Sequence, residues 1–138
     1  MAGYSGTPLV GKLGIQPNEK ILAINPPANY AHLLAGLPEG AVITNRGATP
    51  TKFVHFFVTR RADLESRLAA LRTTLDDAGI LWVSWPKKSA KVATDITEDT
   101  IREVALPLGF VDVKVCAVDE TWSGLKLMIR RADRQVRA

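Results

Sequence analysis

The sequence predicts a three-layer α/β domain whose mostly parallel sheet ends in an antiparallel hairpin. Two runs, FVHFFV (Phe53 to Val58) and ILWVSW (Ile80 to Trp85), are continuously apolar, as strands covered on both faces by helices must be. Between them Leu64, Leu68, Leu71 and Leu75 recur at helical spacing. Near the end of the chain, Val111, Val113, Val115 and Ala117 alternate with more polar neighbours. Leu125, Leu127 and Ile129 do the same after a short connection, which is the pattern of a hairpin. The 138 residues suit one domain spanning 1–138, with no linker or internal repeat and with a basic, flexible tail expected over 131–138.

Each element has a local reason. Thr7, Pro8 and Gly14 bracket a short helix, with Thr7 as its cap and Pro8 in its first position. Lys20 to Ile24 is a short apolar strand. Asn25 is then expected to cap a helix opened by Pro26 or Pro27, whose Tyr30, Leu33, Leu34 and Leu37 share a face. Ala41 to Thr44 is a brief second strand, and the polar stretch from Asn45 to Lys52 is a loop. Thr59 is expected to cap the leucine-striped helix and Gly79 to end it. Pro86 stops the following strand, and Lys87 to Asp95 forms a lysine-rich loop. Thr97 caps a helix with Glu98 and Asp99 in its first turn, where the dipole favours carboxylates. The valines of the first hairpin strand are expected on its drier face.

This order of elements resembles the core of class I S-adenosylmethionine-dependent methyltransferases, a Rossmann-like fold, with a middle strand-helix unit missing. The runs WVSWPKK (Trp82 to Lys88), ATDITED (Ala93 to Asp99) and VDETWSGLK (Val118 to Lys126) resemble a bacterial family of short proteins known as a domain of unknown function. That resemblance brings no catalytic residue with it. The methyltransferase resemblance implies a glycine-rich turn after the first strand and an acidic residue ending the second. Here the first turn reads INPPANY and the second strand ends at Thr44-Asn45, so neither signature is present and no cofactor is named. Prolines suit a helix start, but they lack the N–H groups that would cradle a phosphate.

Other chemistries find little support. Gly6 to Leu13 has phosphate-loop spacing but offers Leu13 where a hydroxyl is needed, and no strand precedes it. One cysteine, Cys116, and two histidines, His32 and His55, provide no metal-ligand spacing and no internal disulfide. No G-x-S-x-G nucleophile turn occurs. The lone cysteine, and a start without the basic-then-apolar plan of a signal peptide, point to the cytoplasm. No apolar run approaches the roughly 20 residues that span a bilayer, so no membrane partner is expected.

Net charge is +4 and the isoelectric point is near 9.5, which favours anionic partners. Part of that charge sits in Arg130, Arg131, Arg134 and Arg137 at the end of the chain. Nucleic acid is not the expected partner, since there is no helix-turn-helix signature or aromatic-basic repeat.

In open α/β sheets, ligands settle beyond the carboxyl ends of the parallel strands. That rim is expected to gather Asn25, Thr59, Arg60, Trp85, Lys87, Lys88, Asp119, Glu120 and Trp122, providing two indoles to stack, cations for an anionic group, and carboxylates. Asp119 also has an ordinary role available as the cap of the hairpin turn. The expected function is a non-catalytic or regulatory domain binding an anionic, nucleotide-like ligand. The alternative is a divergent S-adenosylmethionine-dependent methyltransferase or other transferase using Asp119 or Glu120 as base. A homodimer that covers the sheet edge left by the missing unit is a further expectation.

Overall fold

The computed structural model describes residues 8–47 and 49–134. A six-stranded sheet comprises β1 (Lys20–Ile24), β2 (Val42–Thr44), β3 (Thr51–Phe57), β4 (Leu75–Pro86), β5 (Phe110–Ala117) and β6 (Trp122–Ile129), in the order β2-β1-β3-β4-β6-β5. The first four strands are mutually parallel, and β6 runs antiparallel to both β4 and β5. Helices α1 (Leu9–Leu13) and α2 (Tyr30–Leu33) cover one face; α3 (Arg61–Thr74) and α4 (Glu98–Ala105) cover the other.

Alternation along each strand divides the core between the two faces. On β3, Val54 and Phe56 pack toward Leu64, Leu68 and Leu71 of α3, while Phe53 and Phe57 pack toward Leu13 of α1 and Tyr30 of α2. Trp82 of β4 is fully buried on the α1 side, where its indole N–H donates to the Leu13 carbonyl at 3.0 Å. That bond fixes α1 to the sheet, and Gly14, at φ 77°, ends the helix in the left-handed conformation glycine tolerates.

Several boundaries depart from expectation. Asn25 caps nothing: it takes a left-handed φ of 53°, and α2 begins only at Tyr30 after Asn29. The two prolines lie in the irregular turn before that helix. Pro8 precedes α1 instead of opening it, and Thr7 lies outside the described residues. Arg60, not Thr59, occupies the position before α3, and the cap comes from elsewhere in the chain: the Arg61 N–H donates to Asp95 Oδ1 at 2.7 Å. Gly79 lies inside β4, which starts directly after α3 with a register shift against β3. Thr97 caps α4 as expected, in a reciprocal pair with Thr100.

The valines of β5 do not lie on a dry face: Val111, Val113 and Val115 are 36%, 50% and 47% exposed on a strand at the sheet's edge. A register shift between Asp112 and Lys114 pairs Val111 with Met128 but Val115 with Leu125, on the opposite face of the sheet. Asp112 instead points to the α4 side and accepts from Arg102 Nε at 2.9 Å. Of the basic tail, Arg130 pairs with Asp133 and Arg134 donates to the Ile129 carbonyl; Arg137 lies outside the described residues.

Candidate functional site

A cleft of about 890 Å³ opens where β4 ends. Trp85, Pro86 and Lys87 form one wall with Lys88 beside them; the segment from Val92 to Asp99, leading into α4, forms the other. The Lys87 N–H donates to the Thr121 carbonyl at 2.8 Å, which holds the first lysine against the β5–β6 connection. Across the cleft, the Thr94 hydroxyl donates to the Thr59 carbonyl at 2.7 Å, and Asp95 is held by the start of α3. Both walls are therefore tied to regular elements.

The charges in this cleft differ in how far they are satisfied. Asp95 accepts a backbone N–H, and Glu98 and Asp99 both pair with Arg102. Arg102 also holds Asp112, whose carboxyl stays below its ordinary range because of that guanidinium hydrogen bond. Among the described residues, neither the Lys87 nor the Lys88 ammonium joins an ion pair. Lys87 and Lys88 are therefore the cations of the cleft without a carboxylate partner among the described residues.

Only part of the expected rim converges here. Trp85, Lys87 and Lys88 line the cleft; Thr59 contributes its carbonyl to the wall behind it, and Arg60 is exposed. The expectation of two indoles in one crevice is corrected by the hairpin register. Trp85 pairs with Ser123 and Pro86 with Trp122, so the indoles lie on opposite faces of the sheet. Trp122 packs edge-on to Phe57 at 5.0 Å, on the α2 side. Trp85 is only 7% exposed, its ring largely within the α3–α4 core.

Asn25 borders a separate depression with Asp63 and Arg67. Asp119 Oδ1 accepts the N–H groups of Thr121 and Trp122, both at 2.8 Å, so it caps the turn as its ordinary role predicted; Glu120 is exposed. The acidic wall, Asp95 with Glu98 and Asp99, was not assigned to the site from sequence, although it lies within the ATDITED run.

The end of β1 does not fit an S-adenosylmethionine cradle. Asn25 is left-handed, Pro26 and Pro27 carry no N–H, and the buried Tyr30 hydroxyl of α2 is already bonded to His55 at 2.8 Å. Among the described residues, no group of three or more His, Cys, Asp or Glu side chains could hold a metal ion, and no helix is long and apolar enough to cross a membrane.

Comparison with known proteins agrees with this architecture. A Sulfolobus solfataricus protein described as a "putative type 11 methyltransferase" superposes with a TM-score of 0.63 at 9% identity, over 94% of each chain. The fibrillarin pre-rRNA processing protein of Methanococcus jannaschii gives 0.57 at 12% identity, over 83% of this chain and 69% of its own. At such identities the likeness shows the fold alone, a methyltransferase-like α/β core. No curated protein matches the sequence. Residues 52–131 match the family described as Protein of unknown function (DUF3052), which is more than half of the chain, and the chain belongs to that family.

Proposed function

We propose that the chain is a non-catalytic binding or regulatory module that takes a small anionic, nucleotide-like ligand in the cleft beside the end of β4. One observation carries this reading: the carboxylates of that cleft are already engaged, whereas the ammonium groups of Lys87 and Lys88 are not. A phosphate meeting those lysines leaves the rest of the ligand against Pro86, Val92 and the exposed edge of Trp85. The irregular turn at the end of β1 supports binding here over binding at the first loop.

The test is a thermal-shift series with ATP, GTP and UMP beside the corresponding nucleosides. Saturable stabilisation by the phosphorylated compounds alone supports the proposal; equal effects from the nucleosides, or none from either set, oppose it.

A divergent methyltransferase or other transferase is the second reading, favoured by the superposition over 94% of both chains with a protein described as a methyltransferase. Saturable stabilisation by S-adenosylmethionine, with transfer of its labelled methyl group to an acceptor, would select it over the first.

A further inference from the structure

Parallel strands β2 and β3 flank β1, so the chain between them must cross the face of β1. A crossover of this kind usually carries a helix and a dozen or more residues. Here it is only the stretch between Thr44 and Thr51, with no helix among its described residues. Val42, on this part of the sheet, is accordingly 48% exposed. Beneath the crossover lies a cavity of about 290 Å³, distinct from the cleft at the end of β4.

Its chemistry is consistent around the wall. Leu22 and Pro50 contribute apolar surface, and three cations approach from three places: Lys20 on β1, Arg46 on the crossover and Lys52 on β3. Glu19 is the one carboxylate lining it. Among the described residues none of these cations forms an ion pair. With three cations and one carboxylate the lining carries an excess of positive charge, which favours an entering anion.

Gly47 sits tightly against the cavity wall. A Cβ added there would stand 2.8 Å from the Thr51 hydroxyl oxygen and 2.9 Å from Leu22 Cδ2, so a larger residue would require those side chains to shift. The Thr44 hydroxyl accepts the Arg46 N–H at 3.1 Å and fixes the turn that presents Arg46.

The geometry points to a second binding site in this cavity, for a small organic anion that joins a phosphate or carboxylate head to a short apolar body. The head lies among Lys20, Arg46 and Lys52 and the body lies over Leu22 and Pro50. The site is independent of the cleft containing Lys87 and Lys88.

Calorimetric titration with phenyl phosphate, benzoate and inorganic phosphate tests it, with amide NMR shifts to locate binding. Saturable binding of phenyl phosphate or benzoate, stronger than that of inorganic phosphate and with shifts at Gly47 and Lys52, is expected. Lys52→Gln and Arg46→Gln should each weaken it by about tenfold, the loss of one charge-assisted contact. Gly47→Ala should weaken it by crowding Leu22 and Thr51, and the Lys87→Ala/Lys88→Ala double variant should leave it unchanged. The exposed-cation variants keep the test decisive even if Gly47→Ala fails to fold. Absence of saturable binding by all three probes would overturn the proposal, as would affinity unchanged within about twofold in both cation variants. Preferential binding of phenyl phosphate over benzoate would identify the head as phosphate, and the reverse order as carboxylate.

Discussion

The phenol oxygen of Tyr30 lies 2.8 Å from Nδ1 of His55, and the other ring nitrogen of that histidine lies 2.8 Å from Oγ of Ser84. A neutral imidazole has one donor and one acceptor nitrogen, so it satisfies both hydroxyls at once and links α2, β3 and β4 inside the core. Phe57 stacks on the same ring at 4.2 Å.

Burial lowers the His55 pKa from 6.5 to about 3 and raises that of Tyr30. Because the folded value lies below the unfolded one, this contribution to stability is complete above about pH 6.5 and falls as pH drops toward 3. The expected loss is about 1.4 kcal/mol per pH unit below that point. His55→Phe should cost about 2–4 kcal/mol at pH 7.5, since two buried hydroxyls lose their partner, and should flatten the acid limb. Urea unfolding of both proteins at pH 7.5 and pH 5 checks this; equal pH slopes would assign the acid sensitivity elsewhere.

Trp82→Phe removes the indole N–H that reaches the Leu13 carbonyl and leaves space at a fully buried position. A loss of about 2–3 kcal/mol is expected, with hydrogen exchange accelerated first in α1. Uniform acceleration across the sheet would show that this bond does not specifically hold the helix.

Arg102 ties the start of α4 to β5 through Glu98, Asp99 and Asp112. Arg102, Glu98 and Asp112 are about a third exposed and Asp99 is largely exposed, so Arg102→Met should cost only about 1 kcal/mol. The difference in Tm should shrink in about 1 M salt, where screening acts within about 3 Å. Because its guanidinium partner lowers the Asp112 pKa, the pair's contribution should be present above the ordinary carboxylate range and lost as pH falls below it. A salt-independent difference would point to packing by the arginine stem.

The central strands were legible because β3 and the second half of β4 are short runs, rich in aromatic and β-branched residues and apolar on both faces, the pattern of strands in a covered sheet. Less was legible where pairing register decides the outcome. Neither sequence run revealed that Trp85 opposes Ser123, the fact that sends Trp122 to the other face. The bulge after Asp112 is equally silent, and it puts Val111 and Val115 on opposite faces of an edge strand where the alternation predicts one. Asp95 shows a third limit: a cap supplied from 34 positions away lies outside any local capping pattern. The polar stretch from Asn45 to Lys52 is expected as a loop, but Thr51 and Lys52 open β3, and the role of the preceding residues as a crossover depends on strand order, which local propensity does not encode.

The most direct test of the proposed function is calorimetric titration of ATP into the intact chain and into the Lys87→Ala/Lys88→Ala double variant, with folding confirmed by circular dichroism. Binding to the intact chain that weakens at least about tenfold in the folded variant is the predicted result. Equal affinity in the two proteins, or no binding to the intact chain, would contradict it.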